Sequence, residues 1–396
     1  MHAKTLCALA LTVLSSSAPA VAAPPLVPKG TEFRVDTDAS AGFKPRIAAF
    51  PDGGFVVVWT GAGARARFLD SAGRPAGGVI RLPGVVGFID QVVVDRDGSF
   101  LLVWSGGPDI YVRRFNRNGT PKGKRIRANL PSTSLKRDSV ATIGPDGRFA
   151  VAWKADVSNP GSDEVLYTNA VGRIFTANGT PLTAEILLLA GDEASPAGDD
   201  VVDAFPSSLA LKPDGTLVAL AQQSGYCFQS YLVQVPPGGT PSTPQSLGSI
   251  FCGNPFLGRD GLVASLAMGK DGSLVAAWSD GDVQAQRFAP NGTPRGDWFR
   301  ISSQEVSYQY SPTAALQAGG TFAIAWIEED RDGDGSGIFG RSFAANGIPR
   351  TEDFLINVTT AGDQNDPAIA AGRQGPAVVV WAGPTGIFGR VLAPAR

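Results

Sequence analysis

The chain has 396 residues, with 34 Lys+Arg against 36 Asp+Glu, one histidine, three cysteines, 49 glycines and 30 prolines. This near-neutral balance gives no electrostatic reason to expect nucleic acid or an anionic membrane as a partner. The length exceeds what one hydrophobic core usually serves, and the apolar content is too high for the glycine and proline to mean disorder, which leaves a turn-rich repeat array.

Residues 1–22 read as a signal peptide. Lys4 supplies a positive start, Leu6 to Leu14 is a short apolar run, and Ala20-Val21-Ala22 fits the small-x-small cleavage rule. The run is too short to span a bilayer, and no later stretch offers about 20 apolar residues. The expectation is a secreted or periplasmic soluble protein with residues 23–396 as a single domain. Removing the leader removes Lys4, Cys7 and His2, the only histidine, and leaves a net charge of about −3. Histidine triads, histidine general bases and histidine zinc sites are then excluded. Cys227 and Cys252 remain, and an even pair in an oxidising compartment is most simply a disulfide.

From residue 51 onward the chain repeats. A turn of the Pro-Asp-Gly type is followed by an apolar run whose last residue lies seven beyond the turn aspartate. Pro51-Asp52-Gly53 leads to Trp59, Asp97-Gly98 to Trp104, Pro145-Asp146-Gly147 to Trp153, and Asp271-Gly272 to Trp278. Gly319-Gly320 leads to Trp326 and Gln374-Gly375 to Trp381, while Pro213-Asp214-Gly215 ends on Ala221 instead. A strand and an Asn-Gly-x-Pro turn follow, as at Asn118, Asn178, Asn291 and Asn346. Gly337-Ile338-Phe339-Gly340-Arg341 recurs as Gly386-Ile387-Phe388-Gly389-Arg390. Each unit has four strands, a to d; in the sixth they fall at about 312–316, 322–326, 338–343 and 354–357.

Asp-Gly and Asn-Gly suit hairpins because glycine takes the positive φ that tight turns need. Strand b, as in Phe55-Val56-Val57-Val58-Trp59, is apolar on both faces, so each sheet is sandwiched between two others. The last unit stops after its strand c, and Glu32-Phe33-Arg34-Val35 matches strand d elsewhere. The expected fold is therefore all-β: a seven-bladed β-propeller of four-stranded antiparallel blades, closed by the N-terminal strand completing the last blade. A ring closed this way hides the free edges of an open array.

On these Asp-Gly-to-Trp, Gly-Ile-Phe-Gly-Arg and Asn-Gly-x-Pro blocks, the chain resembles bacterial exported β-propeller repeat proteins, and more loosely the TolB-like and WD-repeat propellers. It lacks the Gly-His and Trp-Asp dipeptides of the latter. The resemblance implies a fold and little about function, since such scaffolds host lectins, hydrolases and lyases alike.

In a blade, the a–b and c–d turns share one face and the b–c and d–a connections the other. The second set varies here, from Thr60–Ala64 to Lys154–Ala170, and irregular loops on a rigid scaffold are where binding usually lies. The repeated tryptophans read as packing between blades; Trp298, on a strand d, should sit half exposed at the rim. In Asp330-Arg331-Asp332-Gly333-Asp334-Gly335-Ser336 the spacing offers calcium the oxygens of Asp330, Asp332, Asp334 and Ser336. The closing acid of an EF-hand-type loop is missing, with Arg341 in its place, and Glu328 or Glu329 would have to supply it. Other acids on that face are Asp163, Glu164, Asp192, Glu193, Asp199, Asp200, Asp203, Asp280 and Asp282. The Cys227–Cys252 bridge should link the blade-four b–c loop to the connection after strand d.

Two functions stay open. One is a monomeric, non-catalytic module that binds a glycan or an envelope or extracellular protein. The other is a carboxylate-dependent hydrolase or lyase acting on a polysaccharide, with or without calcium. Acids converging at the channel mouth would favour the enzyme; a groove lined by Tyr226, Phe228, Tyr308 and Tyr310 would favour binding.

Overall fold

A computed structural model describes residues 24–37, 42–159, 164–192, 201–225, 227–252, 264–279, 281–304, 307–372 and 375–395. They hold 28 strands and no helix, hence none long and apolar enough to cross a membrane. After β1 (Leu26–Arg34) the first blade is β2 (Phe43–Ala49), β3 (Phe55–Gly61), β4 (Gly63–Leu69) and β5 (Ile80–Arg81). The second is β6 (Phe88–Val94), β7 (Phe100–Gly106), β8 (Asp109–Phe115) and β9 (Pro121–Arg127). The third is β10 (Lys136–Ile143), β11 (Phe149–Ser158), β12 (Val165–Phe175) and β13 (Ile186–Leu189). The fourth is β14 (Asp203–Leu211), β15 (Leu217–Ser224), β16 (Cys227–Val235) and β17 (Gln245–Cys252). The fifth is β18 (Ser265–Met268), β19 (Leu274–Ser279), β20 (Val283–Phe288) and β21 (Phe299–Arg300). The sixth is β22 (Gln309–Leu316), β23 (Phe322–Glu329), β24 (Ser336–Phe343) and β25 (Phe354–Leu355). The seventh is β26 (Asn365–Ala371), β27 (Ala377–Gly383) and β28 (Gly386–Pro394), completed on its outer edge by β1.

The first strands of successive blades touch in a closed cycle, β2 to β6, β10, β14, β18, β22, β26 and back to β2. They line the central channel. Closure follows the expected register and extends it: β1 runs antiparallel to β28 from Leu26 opposite Pro394 to Arg34 opposite Phe388. Val35 N–H then donates to the Ile387 carbonyl at 2.7 Å, and the buried Asp36 carboxylate accepts the Ile387 N–H. The Glu32 carboxylate accepts the Val358 N–H, tying β1 to the connection leaving blade six.

The core lies between blades. Phe55 to Trp59 are all fully buried, as are Trp104, Trp153, Trp278, Trp326 and Trp381, so the repeated tryptophans pack as the pattern implied. Trp298 is 45% exposed beside β21, also as expected. What the pattern did not reveal is a second device, a strand-c arginine joining each of five blades to the one before. Arg67, Arg113, Arg173, Arg341 and Arg390 donate through Nη1 to Val35, Pro83, Ala128, Ile301 and Ile356 carbonyls of the preceding blade, at 2.9 to 3.4 Å. Their Nε atoms donate to a carbonyl of their own blade, Gly77, Gly123, Thr183, Thr351 or Gly30 of β1. A planar guanidinium spans both acceptors at once, which a lysine could not do. The register puts Val233 and Gln286 at this position in blades four and five.

A third device sets the channel mouth. In blades one, three, six and seven, two residues of the innermost strand stand opposite the anchor tryptophan: Lys44-Pro45, Asp138-Ser139, Ser311-Pro312 and Asp366-Pro367. Blades two and four carry a one-residue step there, at Asp90 and Ser207. Such bulges bend the strand and re-aim its side chains. Lys44, Asp138, Ser311 and Asp366 all take φ between +51° and +53°, a left-handed conformation that costs a non-glycine residue about 1 kcal/mol or more.

Two expectations about connections change. Blade three's strands b and c continue to Ser158 and from Val165, so much of the long b–c loop expected at Lys154–Ala170 is sheet. Cys227 and Cys252 are not loop residues. They are the first residue of β16 and the last of β17, directly opposite each other in the ladder.

Candidate functional site

The b–c and d–a face differs chemically from its opposite. The a–b turns are closed by their own side chains: Asp97 and Asp271 accept the N–H and hydroxyl of Ser99 and Ser273, and Asp214 accepts the Thr216 N–H. The c–d turns do the same with Asn118 and Asn291, which accept from Thr120 and Thr293. These turns spend their polar atoms internally and leave little to offer a ligand.

The other face carries apolar groups in the open. Of the exposed large apolar side chains among the described residues, Phe43, Val86, Phe88, Leu130, Leu135, Val165, Val201, Tyr308 and Val358 lie there, against Leu182 and Ile348 in c–d turns and Leu187 and Trp298 at strand d. Phe43 and Phe88, at the heads of β2 and β6, are 39% and 58% exposed, with ring centres 5.9 Å apart and planes tilted by 54°. Two phenylalanine rings in contact with each other and with solvent are unusual on a soluble surface and mark an interaction site more than a packing need. The aromatic groove expected elsewhere does not form from its members: Phe228 is buried, Tyr310 is half-buried, and Tyr226 lies outside the described residues. Only Tyr308 stands open. Burial, with the Glu329 and Asp363 carboxylates behind it, pushes the Tyr310 phenol up to about 12, so it stays protonated.

Most acids on this face are already matched. Asp203 accepts from Lys154 at 3.2 Å and from the Thr168 hydroxyl at 2.9 Å. Asp282 pairs with Arg300 and Asp156 with Arg137. Asp163, Glu193, Asp199, Asp200 and Asp280 lie outside the described residues.

The Asp330–Ser336 loop folds as a tight turn, with Asp330 N–H donating to the Gly335 carbonyl and Gly333 at φ +112°. Its oxygens are directed apart. Asp332 Oδ2 accepts from the Asn357 amide at 2.8 Å, and Asp334 Oδ2 from the Gly362 N–H at 3.1 Å. Ser336 Oγ lies 3.2 Å from the Gln364 carbonyl. Glu328 is fully buried and occupied by Ser307, the Trp326 indole N–H and Arg331. Among the described residues no three His, Cys, Asp or Glu side chains are grouped as a metal-holding set. As placed, these donors stitch the loop to the connection between blades six and seven and do not converge on a cation.

Asp90 is different, and no motif announced it. It occupies the bulge of β6 at the channel mouth, with Ser105 Oγ and Ser139 Oγ each 2.6 Å from its Oδ2. Ser139 comes from the bulge of the next blade, beside Asp138, whose side chain is 60% exposed. Arg46 on β2 donates through Nε to the Asp90 carbonyl at 2.8 Å. Burial pushes the Asp90 carboxyl above the ordinary aspartate range, and the Asp138 carboxylate adds to the push against the hydrogen bonds from Ser105 and Ser139. Two acids thus meet on neighbouring bulges, one set in the wall and one open to water.

No family model matches the chain, and no curated protein matches it. Several solved structures share its fold. A virginiamycin B lyase from Staphylococcus aureus is 15% identical, with 91% of this chain and 98% of that one covered at a TM-score of 0.54. An ulvan lyase, described as a new polysaccharide lyase family, is 10% identical over 92% and 96% at 0.55. A protein of unknown function from Dyadobacter fermentans is 12% identical over 93% and 99% at 0.51. At such identities the likeness is one of seven-bladed architecture.

Proposed function

We propose that this chain works outside the cytoplasm, as a secreted or periplasmic monomer, and recognises a glycan or an envelope protein through its b–c and d–a face. The observation that carries the reading is the exposed Phe43–Phe88 pair at the channel mouth, on the face where most of the open apolar side chains gather. Aromatic anchors with a polar surround are what interfaces use to bind. The test is a glycan array and an envelope-protein pull-down with the wild type, Phe43→Ser plus Phe88→Ser, and Trp298→Ser as a control on the rim. Loss of captured ligands in the double variant alone is expected. Retention in the double variant removes this surface from the reading.

A second reading is favoured by one observation, the meeting of Asp90 and Asp138 at the mouth. A half-buried acid with a raised carboxyl beside an open carboxylate is how hydrolases and lyases divide proton donation from proton acceptance. Two of the fold neighbours are lyases by name. One of them was made catalytically inactive by replacing a histidine with alanine, and this chain has no histidine beyond His2. Proton transfer here would fall to carboxyls, and calcium at Asp330–Ser336 would require Asp332 and Asp334 to leave their present donors. Release of reducing ends or unsaturated sugars from a polysaccharide panel, abolished by Asp138→Asn, would establish the enzyme. A panel left intact by the wild type would dismiss it.

A further inference from the structure

Carboxylates inside this molecule are held by cations. Asp95 has Arg114 at 2.5 Å, Asp156 has Arg137 at 2.5 Å, Glu328 has Arg331 at 2.8 Å and Asp36 has Arg34 at 3.0 Å. A carboxylate drawn even partly out of water without such a partner is costly unless neutral donors or a proton take over. Among the described residues the half-buried Asp90 forms no ion pair. The Asp138 carboxylate bears on it as a like charge, and the partners of Asp90 are two serine hydroxyls and the Ser139 N–H. Blades two and three are already stapled by Arg173, and a residue kept only to add to that joint would be better served by an asparagine.

The hydrogen bonds say which oxygen is spoken for. Both hydroxyls donate to Oδ2, and Oδ1 receives neither. Oδ1 is also not one of the sealed, partnerless polar atoms in the protein interior. The backbone at this point is clamped by Arg46, so the carboxyl is fixed from three elements, β2, β7 and β10. Fixing a carboxyl by one oxygen while leaving the other unengaged by those hydroxyls is the arrangement of a prepared ligand contact.

We propose that Asp90 Oδ1 is the polar anchor of a site at the channel mouth for a neutral, hydroxyl-rich ligand, namely a sugar ring, with the Phe43–Phe88 pair as its apolar flank. The charge around the mouth selects neutrality: Asp138 on β10 opposes an anion, and Lys44 and Arg46 on β2 oppose a cation. A carboxyl fed by two hydroxyls on one oxygen can offer a sugar either an acceptor or, when protonated, an O–H donor, which matches the donor–acceptor duality of a sugar hydroxyl. Phenylalanine faces suit the C–H side of the same ring. The inference rests on the reading that this face receives a ligand, and holds whether or not a bond is then broken.

The test is saturation-transfer NMR on the purified protein with five probes in turn: glucose, galactose, mannose, rhamnose and N-acetylglucosamine. At least one probe should be saturated by the wild type, and its binding should weaken at least tenfold in Asp90→Ala. Asp90→Asn keeps the shape and the serine contacts; it should fold, bind more weakly than the wild type, and lose the pH dependence that the wild type shows. No saturation of any probe by the wild type overturns the proposal, as does binding that is unchanged in both variants. Loss of array or pull-down ligands on changing Phe43 and Phe88, with no effect of Asp90, would keep the surface and sink the anchor.

Discussion

Blade four and the stapled blades solve the same packing problem with different chemistry. In blades one, two, three, six and seven a buried tryptophan fills the end of strand b, and a strand-c arginine ties the blade to its predecessor. Blade four has Ala221 for the tryptophan and Val233 for the arginine, and blade five, next to it, has Gln286. It fills the gap with side-chain amides instead. Gln222 is buried and bonds to Ser207 and Ser230; Gln229 is buried and donates to the Leu247 carbonyl at 2.7 Å. Blade four is therefore joined on both sides without the guanidinium staple. A repeat can lose its signature residues and keep its place in the ring when the polar groups introduced are largely paired. Here both Gln222 and the Gln229 amide nitrogen find partners, while the Gln229 Oε1 is buried with none among the described residues.

The sharpest way to break this contrast is to exchange the anchors. Trp104→Ala, which also removes the contact with Tyr111, should cost about 3–5 kcal/mol in denaturant unfolding. Ala221→Trp should not stabilise, but destabilise by about 1–3 kcal/mol, because Tyr231 and Gln222 already occupy the space. A stabilising Ala221→Trp would mean that blade four is merely defective.

Next is the cysteine pair. Residues opposite each other in an antiparallel ladder have Cα atoms about 4.5–5.5 Å apart, within the Cα range a disulfide spans, and we expect Cys227 and Cys252 to be joined. Closing about 25 residues of chain should contribute roughly 3 kcal/mol, which is of the order of the missing tryptophan. Mass spectrometry of the alkylated, non-reduced protein decides it; two modified cysteines would leave blade four without this compensation.

The staple itself should be worth less. Arg341→Leu removes charge-assisted bonds to the Ile301 and Thr351 carbonyls and should cost about 2 kcal/mol, against about 1 or less for Gln286→Leu. Equal costs would show that the arginines are incidental.

Acid should act on the blades that carry a turn aspartate, blade four included. The Arg117 guanidinium holds Asp52 below the usual aspartate range, the Lys122 ammonium does so for Asp97, the Thr216 N–H for Asp214, and the Ser273 hydroxyl for Asp271. A depressed folded-state value adds stability above the unfolded value, near 4, and that stability is lost as pH falls further. Asp90 has the opposite sign: its raised value contributes at low pH and is lost as pH rises through it. The melting temperature should thus fall below pH 4 in the wild type, while Asp90→Asn gains on the wild type as pH rises. A constant gap between those two would refute the raised carboxyl.

The smallest effect should come from calcium. Binding would have to pull Asp332 from Asn357 and Asp334 from Gly362, so a melting-temperature rise within measurement error is expected. A clear rise that Asp332→Asn plus Asp334→Asn abolishes would show that the loop re-forms around the ion.

The architecture was legible in the sequence because it is written locally and seven times over. Asp-Gly and Asn-Gly turns, strands apolar on both faces and a leftover strand at each end need only short-range geometry to imply blades and a ring. The strand-c arginines were visible as recurring letters in Gly-Ile-Phe-Gly-Arg, yet their meaning was not, since each acceptor lies 30 to 45 residues away in the preceding blade. The candidate site was hidden more completely. Asp90, Ser105 and Ser139 share no motif, and Phe43 and Phe88 sit 45 positions apart; they meet because closing the ring sets the bulge of one blade against that of the next. Periodicity alone therefore determined how many blades there are and how they close. Which side chains face one another across blades depends on register, bulge and ring closure, and those were decided only by the tertiary structure.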